Sequence, residues 1–144
     1  MRLFNQFVVA ALVLLPFSGC GGPETPVYPV TGKVTYNGKP LPTGSVTYIP
    51  IAAGPSATGR IREDGTYTLT TFTEGDGAVP GDHQVLISAM LMTTPEALPA
   101  PLLPDKFSSG NSGVTKKVEP IDQNTLDLEL TGPVMKETKP VVMP

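Results

Sequence analysis

The chain has little of the side-chain chemistry that enzymes and metal proteins use. Its 144 residues include one cysteine, one histidine and no tryptophan. A lone cysteine excludes an intramolecular disulfide, and a zinc site needs three or four closely grouped ligands. We therefore expect no catalytic residue, no metal site and no cofactor, and the protein is not expected to be an enzyme.

The single histidine, His83, is the one candidate for a general base of the usual type, and it stands beside Asp82. Adjacent residues on a strand point to opposite faces, so Asp82 is poorly placed to orient the imidazole as a hydrolytic triad requires. We interpret His83 as a strand-edge histidine that follows the Pro80-Gly81 turn.

Clustered basic residues are also missing. The formal net charge is −3, whereas phosphate binding needs grouped lysine and arginine. Lys116-Lys117 is the only adjacent basic pair, and on a strand these two side chains would point to opposite faces. Nucleic acid is therefore not expected as a partner.

Two acidic pairs invite a functional interpretation. Glu74 and Asp76 lie in the loop TEGDGAVP, but the spacing lacks the ligand series of a calcium loop. Asp76-Gly77 is itself a turn dipeptide, so turn formation is the preferred interpretation. Asp127 and Glu129 share a face beside inward leucines and are interpreted as a solvated strand face.

Helical periodicity is absent, and 17 prolines and 15 glycines interrupt the chain. Short segments alternate apolar and polar residues with turn dipeptides between them, which predicts an all-β fold. We expect a seven-stranded antiparallel β-sandwich of Greek-key type, with strands at 30–36, 44–49, 57–62, 66–71, 83–89, 114–118 and 125–130.

Two stretches of the predicted domain read as strand, turn, strand. Residues 29–50 contain the tight-turn dipeptide Asn37-Gly38, and residues 57–71 contain Asp64-Gly65, which predicts a hairpin. Residues 83–89 are apolar on both faces, as in a central strand.

Prolines dominate residues 93–104, so this stretch is predicted to form neither a long helix nor a paired strand. Leu102, Leu103 and Phe107 are expected to cover the open end of the core. In the last predicted strand Leu126, Leu128 and Leu130 should face inward.

The N-terminus has the layout of a secretory signal. Arg2 precedes an unbroken apolar run at residues 7–15, and Ser18-Gly19 supply small residues before the lone Cys20. The run is shorter than the ~20 residues of a membrane-spanning helix. We therefore expect a signal peptide at 1–19, a modified Cys20 and tether at 20–28, a β-domain at 29–131 and a flexible tail at 132–144.

The four residues FSGC resemble a bacterial lipobox, in which the cysteine is acylated and becomes the new N-terminus. Phe17 stands where leucine is usual. The resemblance implies lipidation of Cys20, palmitate among its chains, and a membrane as partner through that lipid. The location implied is the bacterial cell envelope, with the domain outside the cytoplasm and the inner or outer membrane left open.

The domain itself resembles a known family. GKVTYNGKPLPTGSVTYIP, TGRIREDGTYTLTT, GDGAVPGDHQVLIS and LLPDKFSSGNSGVTKKVE look like the transthyretin-like (prealbumin-like), carboxypeptidase regulatory-like domain of small bacterial lipoproteins, over roughly residues 28–130. The resemblance implies the sandwich fold and brings no catalytic residue. The related hydroxyisourate hydrolase needs several histidines and a Tyr-Arg-Gly-Ser motif, which this chain lacks.

The function expected is that of a non-enzymatic, membrane-anchored surface or periplasmic lipoprotein used in structure, adhesion or protein docking. The alternative is a module that binds a glycan or small ligand through loops 51–56 and 72–80, where Phe72 is the one aromatic platform. Tyr28, Tyr36, Tyr48 and Tyr67 are interpreted mainly as packing residues. A possible partner is thus an envelope protein or a glycan.

Overall fold

A computed structural model describes residues 24–92, 94–95 and 98–134. These residues form an all-β domain of eleven short strands and one 3-10 helix, so the predicted all-β class is confirmed and the predicted count of seven strands is wrong. The strands are β1 Val30–Tyr36, β2 Lys39–Pro40, β3 Ser45–Pro50, β4 Ala57–Arg60, β5 Thr66–Thr68, β6 Gly81–Ser88, β7 Met90–Leu91, β8 Ala100–Pro101, β9 Thr115–Val118, β10 Asn124–Thr125 and β11 Leu128–Leu130, and the 3-10 helix is Asp105–Phe107.

The first sheet, sheet I, is built around β1. Strands β5 and β2 pair with β1 in antiparallel fashion on one side, and β10 and β11 pair with it in parallel on the other. The expectation of purely antiparallel strands is therefore wrong. The chain leaves β9, crosses to sheet I and re-enters it running in the same direction as β1.

The second sheet, sheet II, is antiparallel with the strand order β4-β3-β6-β9. Strand β6 lies inside this sheet between β3 and β9, which confirms the central strand predicted at 83–89. Its apolar face carries Val85 and Ile87, both fully buried. Leu86 on the other face is half-buried.

The opening stretch is a turn rather than a two-strand unit. Asn37 and Gly38 adopt positive φ angles of 50° and 79°, and this turn pairs β1 with the two-residue β2. The chain then crosses to sheet II, so the predicted strands 30–36 and 44–49 lie in different sheets. Leu41, which lies between Pro40 and Pro42 at the start of this crossing, is buried.

The second predicted hairpin forms a corner between the sheets. The Asp64-Gly65 turn is confirmed, because Gly65 N–H donates to Arg62 O at 2.8 Å and the Asp64 carboxylate accepts from Thr66. Its arms separate, however, since β4 joins sheet II and β5 joins sheet I. A backbone bridge between Thr58 and Thr70 joins the arms and closes this side of the domain.

The proline-rich stretch does contain a strand. Ala100 and Pro101 pair with β7 in a separate two-stranded sheet, so the expectation of no paired strand at 93–104 is wrong. Leu103 and Phe107 are buried in the core and Leu102 packs against it, as predicted. A proline is tolerated here because β8 is an edge strand.

The last predicted strand is interrupted in the middle. Leu128 and Leu130 are buried and Leu126 is partly buried, while Asp127 is exposed, as predicted. Between β10 and β11 an Asp127 carboxylate oxygen accepts the Lys33 backbone N–H at 2.9 Å. A side chain thus replaces one backbone partner of the ladder.

A buried chain of hydrogen bonds joins the two sheets inside the core. The hydroxyls of Tyr48 on β3 and Tyr67 on β5 are 2.8 Å apart, and Tyr67 donates to the carbonyl of Leu126 in sheet I. Because a carbonyl only accepts, Tyr48 must donate to Tyr67. Gly32 lies beneath this contact, and a Cβ there would overlap Leu126 O.

Both phenols stay protonated in the folded protein. Burial raises the pKa of Tyr48 to about 12 despite its bond to Tyr67. Burial also raises the pKa of Tyr67, and the neighbouring Tyr48 adds to that rise. The two hydroxyls therefore act as a fixed polar link between apolar sheet faces.

We expect Tyr67→Phe to lower the free energy of unfolding by about 1–3 kcal/mol, because it leaves buried Leu126 O and Tyr48 Oη without a partner. The matched control is Tyr36→Phe, whose hydroxyl donates to Pro133 O at an exposed position. Tyr36→Phe should change the free energy of unfolding by no more than about 0.5 kcal/mol. Urea unfolding followed by circular dichroism measures both, and equal losses would contradict the bridge.

Candidate functional site

The N-terminal tether meets the domain at one end of the two sheets. Tyr28 and Ala78 exchange backbone hydrogen bonds of 2.8 and 3.0 Å, and Asn124 N–H donates to Pro29 O at 2.9 Å. Loops 51–56, 71–80 and 119–123 all lie at this end, because β3, β5 and β9 finish here while β1 begins here. We name it the tether end, and the opposite end, with the Asp64-Gly65 turn, the distal end.

The residue with the strongest sequence hypothesis, Cys20, lies outside the described residues, as do the predicted signal at 1–19 and residues 135–144 of the predicted tail. The described chain begins at Glu24. Its junction with the domain at Tyr28 and Pro29 is the point at which any anchor on Cys20 would pull.

Asn124 fixes this junction, and sequence reasoning missed it. Asn124 and His83 are the two buried polar residues in the described part of the chain, and Asn124 has 4% of its surface exposed. Its side-chain oxygen accepts Glu119 N–H at 2.9 Å, and its amide nitrogen donates to Glu119 O and Pro29 O. The only signal in the sequence is an asparagine in a predicted turn, which does not reveal its buried contacts.

Loop 72–80 is shaped by Asp76, whose predicted turn role is confirmed. One carboxylate oxygen accepts Thr71 N–H at 2.7 Å, and the other accepts the N–H groups of Phe72 and Thr73. Burial tends to raise the pKa of Asp76, but these hydrogen bonds outweigh it and hold the pKa below its usual value. Among residues 24–92, 94–95 and 98–134, no group of three or more His, Cys, Asp or Glu could hold a metal.

Two apolar side chains project from the loops at the tether end. Phe72 is 63% exposed and Ile51 is 66% exposed. Their loops are neighbours, since a Cβ on Gly54 would lie 3.5 Å from Val79. The aromatic platform expected for a ligand is therefore accessible, although it lines neither of the two surface grooves described below.

His83 is buried inside sheet II, so its interpretation as a strand-edge residue is wrong. Its side chain is fully buried against Tyr48, with ring centroids 5.7 Å apart. Nδ1 lies 2.9 Å from Gly81 O and must carry the proton, because a carbonyl only accepts. Nε2 has no hydrogen-bond partner among the described residues. Asp82 is exposed on the opposite face, as predicted.

Two open grooves lie on the surface of the described residues. One of about 380 Å³ lies on the outer face of sheet I beside Lys33, Arg62 and Asp127. Another of about 450 Å³ lies between β9 and β11, beside Lys116 and Glu129. Neither groove includes His83, the one histidine of the chain.

The four tyrosines are packing residues, as predicted. Tyr48 and Tyr67 are fully buried, and Tyr28 and Tyr36 are half-buried against the core. Tyr36 also packs edge-on against Phe107, with centroids 6.3 Å apart.

None of the helices in the described part of the chain has the length and apolarity needed to cross a membrane.

The fold defines a small all-β domain with two principal sheets. No protein-family model and no curated protein matches the chain. A 9R-lipoxygenase from Cyanothece PCC8801 is similar over 79% of this chain and 18% of its own length, with 15% identity and a TM-score of 0.37. A likeness this weak indicates neither a shared family nor a shared activity.

We expect acid to destabilise the domain through His83. Burial lowers its pKa in the folded state, against the opposing effects of the Gly81 hydrogen bond and the charge of Asp82. The unfolded chain, with a histidine pKa of ~6.5, therefore binds more protons just below that pH. The contribution of neutral His83 to the free energy of unfolding should be fully present above that pH and should fall as the pH drops toward the folded pKa.

Unfolding free energies at pH 8, 7, 6 and 5 measure this dependence. His83→Phe should flatten the fall between pH 7 and 5. Asp82→Asn, which removes a charge that raises the His83 pKa, should keep the fall or deepen it. An unchanged slope in His83→Phe would assign the acid sensitivity to other groups.

Proposed function

We propose that the protein is a non-enzymatic lipoprotein of the bacterial cell envelope, anchored through Cys20 and serving as a structural, adhesion or protein-docking module. The observation that carries the proposal is the order of segments at the N-terminus. An apolar run and the small residues Ser18-Gly19 precede the lone cysteine, and a short tether then leads to β1.

The anchor is physically sufficient. Each buried CH₂ of an acyl chain contributes ~0.8 kcal/mol, one chain holds only marginally, and two or three chains hold stably. The nine residue steps from Cys20 to Pro29 reach at most about 30 Å when fully extended. The tether end would thus stay near the bilayer with the whole β-domain outside it.

We propose further that the domain is transthyretin-like. In support, the four segments that resemble that family contribute strands to both sheets, and the two glycine turns within them, at Gly38 and Gly65, have positive φ angles. A scaffold of this kind offers edge strands and loops for protein partners and needs no reactive side chain.

A second candidate function is glycan or small-ligand binding at loops 51–56 and 72–80. The exposed ring of Phe72 favours it, because sugars stack on accessible aromatic faces. Saturable binding on a glycan array that is lost in Phe72→Ala and kept in Ile121→Ala would favour this candidate over the docking module. Proteins recovered from envelope extracts without any glycan signal would favour the module.

Metabolic labelling with an alkyne fatty acid tests the anchor. The wild-type chain should be labelled and fractionate with membranes, and Cys20→Ser should lose both properties because the acylated thiol is gone. Phe17→Leu, which introduces the usual lipobox residue, should be labelled at least as well as the wild type. An unlabelled wild-type protein released in soluble form would refute lipidation.

A further inference from the structure

We propose that two copies of this chain form a two-fold dimer in which β9 of each copy pairs with β11 of the other. The starting observation is that β9 of sheet II and β11 of sheet I are edge strands on the same side of the domain, which we call the open side. Within the described residues, β9 pairs only with β6, and β11 pairs only with β1. The opposite side is closed by the bridge between Thr58 and Thr70.

The open side presents backbone groups for pairing. Val85 N–H donates to Val114 O at 2.9 Å, so alternation along the antiparallel ladder turns the N–H and C=O of Thr115 and Lys117 outward. Asn37 N–H donates to Leu130 O at 2.8 Å, and alternation likewise turns the groups of Glu129 outward. Both edges therefore have what strand addition requires.

The directions of the two strands restrict how copies can meet. β11 runs parallel to β1, away from the tether end, and β9 runs toward the tether end, where Val118 pairs with Gly81. A two-fold axis along the strands would place β9 beside β11 of the second copy in antiparallel orientation, twice. An axis across the strands would instead pair β9 with β9 and β11 with β11.

Charge selects between these arrangements. β9 carries Lys116 and the exposed Lys117, while Asp127 and Glu129 flank Leu128 at the other edge. Pairing like with like would oppose lysines to lysines and acids to acids, which is destabilising. Pairing β9 with β11 brings Lys117 beside the acids of the second copy on the same outer face. Lys117 now contacts Glu119 of its own chain at 3.1 Å, an exposed pair of little strength.

The selected arrangement also agrees with the anchor, and this part of the inference rests on the proposed function. Rotation about the strand direction keeps the tether end of both copies on the same side. Both Cys20 lipids could then enter one bilayer, whereas an axis across the strands would send them in opposite directions. Confinement to one membrane would raise the effective concentration for an interface with such short edges.

Charge reversal tests the proposal on the full chain in detergent, measured by sedimentation equilibrium. Lys117→Glu and Glu129→Lys should each weaken dimerisation by about tenfold or more, because the symmetric interface contains each contact twice. The double variant should recover the wild-type dissociation constant to within about threefold. Lys39→Glu and Glu63→Lys, exposed reversals away from both edges, serve as controls and should change nothing.

Cross-linking tests the arrangement in a Cys20→Ser background, which keeps this result separate from lipidation. A mixture of Lys117→Cys chains with Glu129→Cys chains should cross-link, and Lys117→Cys alone should not. Efficient cross-linking of Lys117→Cys with itself would overturn the arrangement. A wild-type chain that stays monomeric would overturn the dimer, as would one that dimerises only after residues 135–144 are deleted.

Discussion

The structure depends on the hydrogen-bond chain that runs from Tyr48 through Tyr67 to Leu126 O. It joins sheet II to sheet I across a core that is otherwise filled mainly by aliphatic side chains. The chain has no tryptophan and few aromatic residues, and two tyrosines are the largest fully buried side chains. Their hydroxyls must therefore find partners. The contact falls at the break between β10 and β11, where the Asp127 carboxylate accepts Lys33 N–H. Gly32 follows from this constraint, because only glycine leaves room for the carbonyl.

Much of the fold could be predicted because local sequence patterns determine where strands and turns form. Alternation gave β1 its bounds, Asn37-Gly38 and Asp64-Gly65 specified turns, and the two-sided apolar pattern placed β6 inside a sheet. The pairing of strands could not be predicted in the same way. Whether the chain after a turn returns to the same sheet or crosses to the other is decided by long-range packing. Long-range packing decides that β1 has parallel partners and that β4 and β5 join different sheets. The pairing of β8 with β7 was missed for another reason, because a proline is tolerated in an edge strand.

The candidate site was predicted in outline only. Residue type and strand alternation predict three features that the structure shows. Asp76 forms a turn, Phe72 is exposed, and Asp82 lies on the strand face opposite His83. The burial of His83 and Asn124 does not follow from them, because both depend on which loop covers the end of the sheets. Asn124 satisfies backbone groups that the tether junction would leave unpaired. The lipid anchor, by contrast, is predicted from local sequence alone and lies outside the described residues.

The central claim is that the domain is held at a membrane by its tether end. The most direct measurement uses the lipidated full chain in vesicles with a quencher on the lipid headgroups. A fluorophore is attached either at Asp122, in the loop beside Asn124, or at Glu63, in the distal turn. Both positions are exposed. If the tether end faces the membrane, the fluorophore at Asp122 should be quenched more strongly than the one at Glu63. Equal quenching at the two positions, or stronger quenching at Glu63, would contradict it.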